Sequence, residues 1–271
     1  MEINKDNSQE NGSEVKNAPK EVTSLEMFQN PLFYDAVYGN PERGQIKYSK
    51  EIENINKFVI DKNLEKRVLD VGCGTGIHLS QLAKLGFEGH GLDINPKMLE
   101  FAKSKSVKES INFTLGDMRS FDLNKQFPLI TCMYGAFNYL PDEEGVTQSL
   151  NCFLKHLDNN GYLIIDSRWA KHQPKKVDFE ERSDGISIVK QWTMKEGSAR
   201  DAIYKVAFIK PGENGILIYE DHSQNFCDPF YLKEKMQDVG FTNIKIIDNF
   251  DFSKEVSSQD KVWRTVIVAQ K

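Results

Sequence analysis

The sequence is poor in cysteine, in excess basic charge and in long apolar runs, and each shortage closes off a class of protein. Four cysteines occur in 271 residues, at Cys73, Cys132, Cys152 and Cys227. They are far apart and form no Cys-x-x-Cys pair, so there is no zinc signature and nothing calls for an oxidising compartment. The five histidines are equally scattered, and no metal is expected. No apolar stretch reaches the ~20 residues needed to span a bilayer. Residues 1–24 lack the apolar centre of a signal peptide and read as a polar, disordered tail, which fits a cytoplasmic protein. A net charge of -5 leaves no broad surface for phosphates, so neither nucleic acid nor membrane is expected as a partner. The basic run from Lys171 to Lys176 reads as solvated loop.

What is present suits one large domain carrying an insertion. Hydrophobic residues make up 39% and charged residues 28%, ordinary values for a globular chain. Residues 25–62 carry apolar and aromatic side chains at loosely helical spacing, broken near Pro41, and predict a cap of one or two helices. From Arg67 to Asp166, short β-branched runs alternate with helical patterns, which predicts right-handed crossovers and a parallel sheet. The core is read as residues 63–170 and 228–271. Between them, residues 171–227 hold alternating segments separated by turn formers, the pattern of an antiparallel meander. A helix over Pro229–Val239 ending at Gly240, then strands over Ile244–Phe250 and Val262–Ala269, complete the reading.

Three motifs fall at the ends of successive strands. The first is Val68-Leu69-Asp70-Val71-Gly72-Cys73-Gly74-Thr75-Gly76, a buried strand running into a glycine-rich turn and then a helix. Such a turn lets backbone approach a ligand, and the helix start offers free N–H groups and partial positive charge. A dinucleotide fingerprint would want a third glycine at position 77, where this chain has Ile77. In the second motif, Gly91-Leu92-Asp93-Ile94-Asn95-Pro96, the acid can accept from both ribose hydroxyls or simply cap the next helix. The third, Gly116-Asp117-Met118-Arg119, offers an acceptor for an adenine amino group and an apolar face for its ring.

The first motif resembles that of the class I S-adenosylmethionine-dependent methyltransferases. A narrower resemblance, from about Phe33 to Phe250, is to the N,N-dimethyltransferases of nucleotide-linked amino sugars. It rests on Tyr34-Asp35-Ala36-Val37-Tyr38, on Gly74-Thr75-Gly76 with His78-Leu79, on the third motif, and on Cys132-Met133-Tyr134 leading to Tyr139-Leu140. The resemblance implies an α/β, Rossmann-like fold: a mostly parallel sheet with an antiparallel last strand, plus an antiparallel β insertion that helps to form a homodimer. It implies S-adenosyl-L-methionine as cofactor, S-adenosyl-L-homocysteine as product, and a small-molecule acceptor. The cofactor set it implies is Tyr34, Tyr48, Asp70, Gly72, Gly74, Gly76, Asp93, Ile94, Met98, Gly116, Asp117, Met118 and Met133. It also implies that Tyr34 closes over the cofactor and that Tyr139 lies near the methyl group. After the fifth strand, where that family has an acid, a proline and two tryptophans, this chain reads Asp166-Ser167-Arg168-Trp169. Arg168 and Trp169 are taken as substrate contacts, with Tyr139.

Read one by one, some of these residues keep a plainer alternative. Tyr34 and Tyr38 share a helix face and could be core aromatics, and Tyr139 could be a packed ring at a junction. His78 is placed on a helix surface, and Trp192 and Trp263 in the core. No Asp-Pro-Pro-Tyr-like turn follows the fourth strand, which lowers base methylation. N-methylation leads, small-molecule O-methylation is next, and a cofactor-binding protein without catalysis or a nicotinamide-dependent oxidoreductase are the remaining alternatives.

Overall fold

The computed structural model describes residues 25–38, 46–106, 110–169, 172, 178–181, 185–198, 201–210, 215–226, 228–262 and 264–271. The sequence expectations for residues 1–24, Trp263 and most of the Lys171–Lys176 run lie outside these. The chain opens with helices α1 (Glu26–Gln29), α2 (Pro31–Tyr38) and α3 (Ile46–Asp61). The core then runs β1 (Arg67–Val71), α4 (Ile77–Lys84), β2 (Glu88–Asp93), α5 (Pro96–Lys105), β3 (Ile111–Leu115), β4 (Phe127–Cys132), a 3-10 turn (Ala136–Tyr139), α6 (Glu143–His156) and β5 (Leu157–Arg168). Strands β6 (Asp178–Glu181), β7 (Ser187–Met194), β8 (Ala202–Lys210) and β9 (Gly215–Gln224) follow. Helix α7 (Pro229–Val239), β10 (Thr242–Asp248), β11 (Asp251–Glu255) and β12 (Arg264–Gln270) end the chain.

Eight strands form one sheet in the order β11-β10-β12-β5-β4-β1-β2-β3. Strands β1 to β5 pair in parallel, and β12 runs antiparallel to both β5 and β10. β1 and β4 are buried along almost their whole length, as strands covered on both faces must be. The helices start where short polar side chains can cap them. Asn95 accepts from Lys97 N and Met98 N ahead of α5, and Asp142 accepts from Gly145 N ahead of α6. Asp228 and Pro229 open α7, and Gly240 closes it at φ 112°.

The residues between β5 and α7 form a separate four-stranded antiparallel sheet, β6-β7-β8-β9. Two details differ from the sequence expectation. The segment read as one strand to Phe250 is a hairpin, because Asn249 and Phe250 both have positive φ and turn the chain into β11. β5 begins five residues earlier than its apolar run, through Asn159, Asn160 and Gly161. Among the described residues no helix is long and apolar enough to cross a membrane, and no group of His, Cys, Asp and Glu could hold a metal.

Candidate active site

The carboxyl ends of β1, β2, β3 and β4 converge on one cavity, where open α/β sheets bind ligands. It holds about 930 Å³ free of protein atoms, open mouth included, between Gly72, Asp93, Asp117, Met133 and Tyr139. The glycine turn supplies its floor. Gly72 N and Cys73 N donate to Leu92 O, and Gly74 N donates to Asp93 Oδ2 at 2.7 Å. No side chain caps the start of α4, which Gly76 enters at φ 72°. That end is therefore suited to a carboxylate.

Acidic groups lie close to this helix start. Asp93 Oδ1 accepts from Asn95 N at 2.8 Å, and burial raises its carboxyl above the ordinary value against three backbone hydrogen bonds. Asp70 is 1% exposed. Its Oδ1 accepts from Thr131 Oγ1 at 2.7 Å, while Oδ2 has no partner among the described residues. Burial pushes the Asp70 carboxyl up to about 7. A buried carboxylate with an unused oxygen invites a cation. A helix start for a carboxylate and acids for an ammonium together match the amino-acid end of S-adenosylmethionine.

Two glycines in the turn separate packing from ligand access. A Cβ at Gly72 would lie 2.6 Å from Ala136 Cβ, whereas one at Gly74 meets nothing within 4 Å. Both have positive φ, at 72° and 53°, a strain of about 1–2 kcal/mol for alanine. The clash at Gly72 adds about 1–3 kcal/mol. Gly72→Ala should therefore lower stability in urea melts clearly more than Gly74→Ala. Equal losses would mean that the Ala136 contact does not matter.

On the far side, Asp117 is held by its neighbour Arg119, with Nε at 3.0 Å and Nη2 at 2.6 Å. An adenine amino group would share that carboxylate with the guanidinium. Met98, Met118, Met133 and Leu140 make this end apolar. The cover comes from the N-terminal helices, which are fastened down. Asp35 on α2 accepts from Thr75 Oγ1 at 3.2 Å and from Lys105 Nζ at 2.5 Å. Asn95 Nδ2 donates to Phe28 O at 2.9 Å. Phe28, Tyr34, Tyr134 and Tyr139 thereby form an aromatic lining. Burial raises the Tyr34 and Tyr139 phenols above their ordinary value.

Of the residues singled out from sequence, Tyr34, Gly72, Gly74, Asp93, Ile94, Met98, Gly116, Asp117, Met118, Met133 and Tyr139 line the cavity. Asp70 and Gly76 stand beside it in the same strand and turn. Tyr48 lies in α3, with its side chain outside the described residues. Two substrate expectations meet a different environment. Trp169 is 3% exposed and packs on His172 and on Phe230 of α7. The Arg168 guanidinium is not in the cavity wall itself; it sits 5.1 Å from the Trp192 ring centre and within electrostatic reach of Tyr139. Trp192, expected in the core, is half-buried and stacks on Tyr204. His78 is buried rather than on a helix surface, 5.1 Å from Tyr134, and burial depresses its imidazole to about 4. Sequence reading missed Phe28, Tyr134 and Ala136 as wall residues. Tyr134 directly follows Met133 after the fourth strand; Phe28 had no signal beyond its position six residues before Tyr34.

Comparison with known proteins identifies the family and the fold. The family model described as a methyltransferase domain matches residues 62–200. A protein of Geobacillus sp. (strain WCH70) named as a methyltransferase is 29% identical over 76% of this chain and 85% of its own. The dTDP-3-amino-3,4,6-trideoxy-alpha-D-glucopyranose N,N-dimethyltransferase of Streptomyces venezuelae is 29% identical over 45% of this chain and 51% of its own. The fold is similar to that of an amino pentose methyltransferase from Micromonospora echinaspora solved with S-adenosylmethionine bound. The TM-score is 0.72 at 22% identity, covering 88% of this chain and 95% of that one. The chain belongs to the methyltransferase-domain family and is an S-adenosylmethionine-dependent methyltransferase of the Rossmann-like class.

Proposed function

We propose that this protein methylates an amine nitrogen of a small molecule, in an aromatic chamber over the cofactor. The observation that carries this reading is the ring lining of Phe28, Tyr34, Tyr134 and Tyr139. Bound S-adenosylmethionine supplies a methyl group already activated by its sulfonium. What the chain must add is alignment, exclusion of water and a home for positive charge. An amine nucleophile becomes cationic as it gains the methyl group, and aromatic faces stabilise cations by about 0.5–2 kcal/mol. Holding nucleophile and methyl group in line can lower the barrier by about 7–11 kcal/mol.

In this reading Asp93 holds the ribose hydroxyls, Asp117 and Met118 the adenine, and the Gly72–Gly76 turn with Asp70 the amino-acid end. Tyr34 covers the site and Tyr139 orients the acceptor. The relatives named as amino-sugar N,N-dimethyltransferases support an amine, although the aligned parts span only 39% and 51% of those enzymes.

The test is methyl-labelled S-adenosylmethionine with nucleotide-linked amino sugars, simple amines, amino acids, phenols and tRNA. Label should appear on amines. Label on phenols alone would replace the reading with O-methylation, and binding without any transfer would leave a cofactor-binding protein. Tyr139→Phe is expected to lower kcat by at least about tenfold at unchanged cofactor affinity. Wild-type turnover in both Tyr139→Phe and Tyr139→Ala would remove its role.

A further inference from the structure

Tyr139 begins a chain of polar groups that leads away from the cavity. Its hydroxyl lies 2.7 Å from His222 Nδ1, and His222 Nε2 lies 3.4 Å from Glu220 Oε2. The Gln224 side chain lies beside the Tyr139 hydroxyl, and Gln224 Oε1 accepts from the Trp192 indole N–H at 3.3 Å. Glu220, His222 and Gln224 alternate along β9 and so share one face. His222 is only 1% exposed, within 6 Å of the Phe28, Tyr139 and Tyr204 rings.

The direction of every proton follows from the ends of this chain. An ionised carboxylate can only accept, so the ring nitrogen facing Glu220, Nε2, carries the imidazole proton. Nδ1 is then the acceptor, and Tyr139 donates its O–H to it. The indole N–H of Trp192 can only donate, which turns the Gln224 amide N–H towards the Tyr139 side. This is the arrangement of a neutral base with an oriented tautomer and a carboxylate behind it.

We propose that Tyr139, His222 and Glu220 form a proton relay that deprotonates the methyl acceptor. The relay rests on the methyl-transfer reading given above. As the acceptor nitrogen bonds the methyl carbon, the carbon–sulfur bond breaks and its electron pair stays on sulfur. The acceptor's surplus proton passes to Tyr139 Oη while the Tyr139 proton passes to His222 Nδ1. The resulting imidazolium faces Glu220 and gives its proton to water once product leaves. His222 acts through Tyr139 and is a positioning and proton-holding residue, while Tyr139 alone meets the acceptor. The ionisable groups around His222 are Glu220 and Asp221 on its own strand, Tyr204 on β8 and Tyr139 on the 3-10 turn. Burial lowers the imidazole below its ordinary value and the two acids oppose that shift, so the base is neutral at pH 7.

Two measurements test the relay, and the first needs no acceptor. In the whole protein carrying nitrogen-15 histidine, NMR should find His222 neutral with its proton on Nε2, and Tyr139→Phe should shift its Nδ1 resonance. A proton on Nδ1 would overturn the relay whatever the substrate is. The second measurement uses His222→Asn, whose amide oxygen can still accept from Tyr139 but cannot take the proton. Its kcat should fall about 10²-fold at unchanged S-adenosylhomocysteine affinity, and the acidic limb of the kcat–pH profile should vanish. Wild-type turnover and profile in His222→Asn would overturn the proposal. Should His222→Asn fail to bind cofactor, the wild-type tautomer decides. A wild type that methylates phenols and no amine would refute the amine reading, and both measurements would still decide the relay.

Discussion

Replacing Arg264 by methionine is expected to cost about 3–5 kcal/mol of folding stability, the penalty for breaking a buried ion pair from one side. Arg264 is 4% exposed at the start of β12. Its Nε and Nη2 grip Asp166 at 3.1 and 2.7 Å, and Nη1 pairs with Glu51 of α3. The Tyr134 and Phe250 rings flank the guanidinium, each 5.1 Å from its carbon. Burial alone would raise the Asp166 carboxyl, but Arg264 holds it below the ordinary carboxylate value. Methionine would fill the space and leave two buried acids without the guanidinium that bridges them. Asp166 also accepts from Tyr134 N at 3.1 Å, so the damage should reach the cavity wall and weaken cofactor binding. Denaturant melts check the first effect and calorimetry the second. A loss under about 1 kcal/mol would show that this pair is exposed to water. Adding Asp166→Asn and Glu51→Gln should recover part of the loss, because both acid charges that Arg264 balanced then disappear.

Asp70→Asn is expected to act in opposite directions on stability and on binding. The Asp70 carboxyl titrates near 7 in the folded protein and near 3.9 when unfolded. The sign follows from linkage: the folded state holds the proton more tightly, so stability is undiminished below about pH 4 and falls as pH rises towards 7. The full penalty is of order 4 kcal/mol above pH 7. Asparagine removes that slope but buries an amide N–H without a partner, at about 1–3 kcal/mol. His78, depressed to about 4 by burial, pulls the other way between pH 4 and 6.5. The difference between variant and wild type therefore carries the prediction: Asp70→Asn gains relative stability as pH rises from 4 to 8. Cofactor affinity should drop by about 10- to 100-fold, the worth of a charged hydrogen bond, and lose its rise with pH. A parallel pair of stability–pH curves would show that Asp70 stays ionised throughout.

The strand ends of the core were legible because each carries a glycine or an acid that only a strand-to-helix turn explains. Asp93, Asp117 and Gly74 stand where those motifs put them. Helix α7 was legible to the residue, from Pro229 at one end and Gly240 at the other. What stayed hidden has partners far away in sequence. Arg264 and Glu51 are 213 residues apart, and no local pattern announces their pairing. His222 lies in a run of polar residues, Glu220–Gln224, that looks solvent-facing until α1 reaches Glu220 and His222 and Tyr139 closes on the imidazole. The packing of Trp169 is hidden for a related reason: sequence shows that it follows a strand end, but not that Phe230, far along the chain, packs on it.

The position of β12 bears on how the chain reaches this state. β12 fills the gap between β5 and β10, and its Arg264 meets an aspartate made 98 residues earlier. While a growing chain extends through the second sheet, β5 therefore stands as an open edge, with unpaired backbone groups along Tyr162–Arg168. Such an edge recruits stray strands. Asp166, still without Arg264, places a buried-facing charge on that edge, with Arg168 two residues on, and charged edge residues discourage pairing with other chains. The same carboxylate that later anchors the finished sheet would thus serve as a gatekeeper during synthesis, and slow, long-range closure by β12 would be the step that commits the cofactor site.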